Sequence, residues 1–100
     1  MGLTKRETHS EILDRLHEIY VTKNALYGDS TTDTFKKFGA LSYAVRLNDK
    51  LRRFQALVTS PLEACETGGE SMVDTLLDLA NYAVLAVMDI ESERVDDKSE

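Results

Sequence analysis

The stretch from Glu70 to Met88, ESMVDTLLDLANYAVLAVM, restricts the possible folds of this chain more than any other. Glu70, Asp74, Asp78 and Asn81 recur at steps of four, four and three, which lines them up as one narrow polar stripe on a helix. Most other positions are apolar, and Ala83 to Met88 is apolar without a break. A helix greasy all round over its second half is expected to be buried on most sides. Carboxylates repeated along such a helix are costly unless positive charge meets them. That charge is expected from a metal ion or from basic side chains elsewhere in the chain.

The flanking sequence supplies further helices. Residues 1–9 are polar and read as a flexible N-terminus. From Ser10, with Ser10 or Thr8 as N-cap, Ile12, Leu13, Leu16, Ile19 and Tyr20 line one helical face. This helix runs to Leu26 or Tyr27 and stops at Gly28, a natural left-handed C-terminal position. After the polar turn Gly28-Asp29-Ser30-Thr31-Thr32, a second helical region extends from Asp33 to about Thr59. Its apolar face is Phe35, Phe38, Leu41, Val45, Leu51, Phe54, Leu57 and Val58, and Gly39 either bends it or splits it. Ser60-Pro61 ends it, and residues 62–69 read as a surface loop. Thr67 with Glu70 forms a capping box opening the last helix, which runs to about Glu93 before a charged tail, 94–100.

No segment alternates with a period of two, so the expected class is all-α: a small antiparallel bundle of three to four helices in a single domain, 10–93. The unbroken apolar end of the last helix exceeds what two partner helices cover. A homo-oligomer, dimer or higher, through this C-terminal helix is therefore expected.

Composition narrows the function classes. A net charge of -6 argues against a nucleic-acid polymer as partner. A single cysteine, Cys65, fits a reducing compartment. The start lacks the apolar run of a signal peptide, and six consecutive apolar residues fall short of the roughly 20 that span a bilayer. A cytoplasmic protein without a membrane partner is the expectation.

Three groups carry potential chemistry. Arg46, Asp49, Lys50 and Arg53 form a compact, mostly cationic helix face, either a solvated surface with local ion pairs or a phosphate-binding cluster. Asp74 and Asp78, four apart on the most apolar helix, repel one another and suit a magnesium ion shared with substrate phosphates. Asp49 and Glu70 are further metal candidates, although Glu70 also serves as the capping-box glutamate. Lys23, Asn24, Tyr27, Gly28 and Ser30 cluster at a helix end. A tyrosine beside a turn of hydrogen-bonding groups is suited to stack on a base. His9 and His17 occupy polar positions and read as solvated.

The blocks KNALYGDS (23–30), RLNDKLRRFQAL (46–57) and ESMVDTLLDLANYAVLAV (70–87) together resemble the nucleotide modification associated domain 1 family of phages and bacteria. The resemblance covers about Ile12 to Val87 and implies a nucleotide-related role. More remotely, the arrangement is similar to all-α nucleoside triphosphate pyrophosphatases of the MazG and dimeric dUTPase type. Those hold magnesium against a triphosphate with acidic residues on adjacent helices and release pyrophosphate. Asp78 matches the aspartate of their E-x-x-D motif, but the glutamate position falls on Thr75, with Asp74 one residue earlier. Their E-x-x-E motif is missing, the first helix offering only Glu11, Asp14 and Glu18.

Two readings of function follow. One is a magnesium-dependent pyrophosphohydrolase acting on modified or ordinary nucleotides, with Asp74 and Asp78 catalytic. Lys23, Arg46, Lys50 and Arg53 would take phosphates, and Tyr27 with Asn81 the base or sugar. The other is a protein that binds or sequesters a nucleotide, such as a signalling nucleotide, without turnover. A bland third alternative is a helical assembly module whose polar stripe is an ion-pair seam between chains.

Overall fold

The computed structural model describes residues 2–60 and 70–99, excepting the side chains of 70 and 95–99. It is all-α: α1 (Lys5–Tyr27), α2 (Ser30–Phe38), α3 (Leu41–Thr59) and α4 (Glu70–Ser99), with no strand among the described residues. The chain divides into two compact units, Met1–Ser30 and Thr31–Glu100. The expected loop over 62–69, its Cys65 and the Thr67–Glu70 capping box lie outside the described residues or side chains.

The first unit is one helix with defined ends. α1 begins at Lys5, a turn and a half earlier than the apolar pattern suggests, because Thr4 rather than Thr8 or Ser10 is its N-cap. The Thr4 hydroxyl accepts from the Glu7 amide at 3.1 Å, and the Glu7 carboxylate accepts from the Thr4 amide at 3.1 Å, a reciprocal capping box. The Thr4 backbone and hydroxyl hold the Glu7 carboxyl below its ordinary range. The expected looseness of residues 1–9 therefore gives way to helix from Lys5 onward.

At the other end Gly28 has φ 65 and ψ −149. That combination lies outside the left-handed helical region named for this position from sequence, in territory essentially reserved for glycine. The Gly28 amide donates to the Asn24 carbonyl at 2.8 Å. Of the anticipated apolar face only Leu16 is buried, while Ile12 and Leu13 are 43% and 51% exposed. Within this unit no second element exists to cover that face.

Among the described residues the second unit contributes α2, α3 and α4, of which α3 and α4 pack against each other. Gly39 splits the second helical region. Its φ is 71, and its amide donates to the Phe35 carbonyl at 2.7 Å, a positive-φ glycine cap closing α2. α3 then starts directly from the turn, with the Ser42 amide and hydroxyl both donating to the Gly39 carbonyl.

Three contacts fix α3 antiparallel to α4: as α3 advances through Tyr43, Lys50 and Arg53, their partners on α4 recede through Asp89, Asp78 and Thr75. The core is small: Phe35, Tyr43, Leu57, Thr75 and Leu77 are buried. Phe38, Leu41, Val45 and Val58, expected on the buried face of this region, are more than half exposed. Leu57 of that expected face is buried, and the side-chain hydrogen bonds to α4 come from Tyr43, Lys50 and Arg53.

α4 departs from expectation in two ways. It continues to Ser99 instead of fraying near Glu93, carrying helix through most of the charged tail. It is also not buried on most sides within this chain: over Ser71–Arg94 only Thr75 and Leu77 are buried. An 18-residue stretch of that span has a mean hydropathy of 1.3, and the 24-residue span is long and apolar enough to cross a membrane by length and composition alone.

Candidate functional site

The sequence points to three groups, and the structure treats each differently. On α3, Lys50 and Arg53 are one turn apart on the face that meets α4, with Arg46 one turn earlier on the same side. On α4, Thr75 and Asp78 are likewise three residues apart and face back. The Lys50 ammonium lies 3.2 Å from the Asp78 carboxylate. Arg53 Nε donates to Thr75 Oγ1 at 3.2 Å. Two cations thus lie across from one carboxylate and one hydroxyl, in register along antiparallel helices.

Burial sets the electrostatics of this ladder. The Lys50 and Asp78 side chains are 29% and 27% exposed, so their pairing is partly shielded from water. Thr75 is buried at 3% exposure, and its hydroxyl accepts from Nε of Arg53, a residue that is itself exposed. Arg46 and Asp49 are exposed. Asn81, one turn beyond Asp78, is half-buried.

Asp74 is the principal correction. The stripe of Glu70, Asp74, Asp78 and Asn81 was expected to face the cations as a whole, but Asp74 is exposed and the buried residue beside it is Thr75. α4 is rotated so that the row through Thr75, Asp78 and Asp89 faces α3. That rotation places an uncharged hydroxyl in the core and leaves the less easily compensated carboxylate in water.

The fit of magnesium follows from the donors. At the place matching E-x-x-D stand a threonine hydroxyl held by a guanidinium and a carboxylate held by an ammonium. Among the described residues no three acidic, histidine or cysteine side chains gather closely enough to hold a metal ion. Lys50 and Arg53 present N–H donors of the kind that bind anions, and the Asp78 carboxylate is already paired with one of them.

The helix-end group lies in the first unit. Asn24 Nδ2 donates to the Gly28 carbonyl at 3.2 Å and to Asp29 Oδ1 at 2.9 Å, so it locks the turn it was expected to offer to a ligand. Tyr27 is 70% exposed, and Lys23 and Ser30 are exposed as well. His17 is exposed, with its ring 6.3 Å from that of Tyr20.

One polar centre escaped the sequence reading. Asp89 accepts from Thr32 Oγ1 at 3.0 and 3.1 Å and from the Tyr43 hydroxyl at 2.5 Å, tying α2 and α3 to α4. Burial, together with the Asp89 hydrogen bond, pushes the Tyr43 hydroxyl up to about 12. The ring of Phe35 lies 5.9 Å from that of Tyr43. A shallow groove of about 300 Å³ opens beside Thr32, Lys36 and Asp89. It lies about three helical turns from Asp78, away from the Lys50–Arg53 ladder. The signal available in the sequence was an aspartate directly after the unbroken apolar run Ala83 to Met88, which must find donors if it is to be buried.

No family model matches this chain, and comparison with curated proteins and with solved structures finds no similar one.

Proposed function

We propose that this protein binds a nucleotide or nucleotide-derived anion, with the α3 cations Arg46, Lys50 and Arg53 taking the phosphates beside Asp78 and Asn81 on α4. The observation that carries this reading is the Lys50–Asp78 and Arg53–Thr75 ladder. It sets two cations one turn apart on one helix face, Lys50 paired with Asp78, in a chain whose net charge is -6. A planar guanidinium already oriented by Thr75 loses little freedom when it takes a phosphate oxygen. The Asp78 carboxylate keeps Lys50 extended along the same face until a stronger anion competes for it.

The resemblance of the three sequence blocks to nucleotide-handling proteins supports a nucleotide over a simple anion. Binding without metal agrees best with the donor set, in which a threonine stands where a metal-binding glutamate would be. The hydrolytic reading rests on Asp78 matching the aspartate of E-x-x-D. It requires magnesium to draw in Asp74, Asp49 or Glu70.

The test is a thermal-shift screen over nucleoside mono-, di- and triphosphates, with magnesium and with excess chelator. A ligand that binds the folded state raises the melting temperature by mass action. The expected result is stabilisation that survives chelator and is lost in Lys50→Ala and Arg53→Ala. No shift with any nucleotide overturns the proposal. Pyrophosphate release that needs magnesium and disappears in Asp78→Asn would replace binding by hydrolysis.

A further inference from the structure

The face of α4 turned away from α3 carries Val73, Leu76, Ala80, Ala83, Val87 and Ile90, at steps of three, four, three, four and three. That is the a/d spacing of a helix that packs along its length on another helix. Yet Val73, Leu76, Val87 and Ile90 are 42%, 44%, 54% and 39% exposed. The partners of α4 within its own unit lie on the other side, where Thr75, Asp78 and Asp89 meet α2 and α3. The seam ends sharply, since the next position of the repeat is Arg94.

The pattern is also the same read in either direction: large, large, small, small, large, large. Two copies laid antiparallel place Val73 opposite Ile90, Leu76 opposite Val87 and Ala80 opposite Ala83. The alanines let the backbones approach at the centre while the larger side chains interdigitate at both ends. An isologous two-fold contact demands such self-complementarity, because each residue must fit its own counterpart's neighbour. A lipid surface or an unrelated helix imposes no such symmetry.

Charge agrees with this occupant. Between Asp74 and Asp89 the one charged residue of α4 is Asp78, which is paired with Lys50 on the opposite side, so the six seam positions carry no charge. Antiparallel packing also brings the positive end of each helix dipole beside the negative end of its partner. The contact is roughly 26 Å long.

We infer that the protein self-associates through this seam, as an antiparallel α4–α4 pair crossing at Ala80 and Ala83. Sedimentation equilibrium of the full chain should give twice the chain mass at high concentration. Ala83→Glu should halve that mass without loss of helical circular dichroism. Glutamate is a good helix former, and the substituted position faces away from α3.

Cross-linking tests the register independently. In a Cys65→Ser background, an oxidised mixture of Ala80→Cys and Ala83→Cys chains should form mixed disulfides in preference to like-with-like ones. A chain that stays monomeric, a dimer that survives Ala83→Glu, or preferential cross-linking of like variants each overturns the inference. So does stoichiometric binding of the wild-type chain to neutral lipid vesicles, which would assign the seam to a bilayer.

Discussion

The Lys50 ammonium and the Asp78 carboxylate, 28 residues apart in sequence, lie 3.2 Å apart across the α3–α4 contact. Arg53 and Thr75 repeat the same crossing one turn further along. The ladder they form governs both how α3 and α4 pack and what that face can bind.

Breaking the ion pair should cost little. Its members are each more than a quarter exposed, and pairs in that setting contribute about 0.5–1 kcal/mol. Lys50→Ala and Asp78→Asn are each expected to lower the melting temperature by roughly 2–8 °C. In a double-mutant cycle followed by thermal denaturation, the double variant should be less destabilised than the sum of the two, and full additivity would show that the pair contributes nothing.

Thr75 offers a sharper contrast. Thr75→Val keeps the shape of a buried side chain but removes the acceptor for Arg53 Nε. A loss of about 1 kcal/mol is expected, read as a lower denaturation midpoint in urea at unchanged slope. Thr75→Ser, which keeps the hydroxyl, should restore the Arg53 contact and lose only the methyl packing.

Alkaline pH should expose the Tyr43–Asp89 bond. The Tyr43 hydroxyl is raised from its ordinary value to about 12, so the protonated form is the one the fold favours. Its contribution is fully present below pH 10 and is lost as pH rises from there through about 12. Of the four tyrosines, one is expected to ionise late, together with loss of helical signal. In Tyr43→Phe the late ultraviolet step should vanish, and stability near neutral pH should fall by about 1–2 kcal/mol.

The two positive-φ glycines should respond differently to substitution. A Cβ at either would meet nothing within 4 Å, so any cost is conformational. Gly39→Asn should be tolerated within about 1 kcal/mol, because asparagine visits the left-handed region. Gly28→Asn should cost more, about 1–3 kcal/mol, because its ψ of −149 lies where side chains other than glycine's clash. Loss of helical content in the α1 segment, followed by hydrogen exchange, would report it.

Much of the helical layout was legible in the sequence because helix spacing and helix ends are local properties. The stop at Gly28 follows from backbone freedom, whereas at Gly39 the same freedom allowed a bend or a split and the structure decided for the split. The breadth of apolar surface on α4 follows from counting residues along a rod. The start of α1 was missed because the apolar stripe begins later than the cap, and Thr4 with Glu7 is a polar signal independent of that stripe. The cationic face of α3 was legible as well, since Arg46, Lys50 and Arg53 share one side of a helix whatever surrounds it.

What the sequence determined by itself is a set of amphipathic helices, an acidic net charge with one basic helix face, and an apolar seam on the last helix. These depend only on which residues lie three, four and seven positions apart. Only the tertiary structure decided that Thr75 rather than Asp74 turns inward, that Asp78 is the carboxylate meeting Lys50, and that Asp89 gathers Thr32 and Tyr43. Those outcomes depend on the rotation of α4 about its own axis. That rotation is settled by the cost of leaving each polar group without a partner, which no spacing along one helix contains.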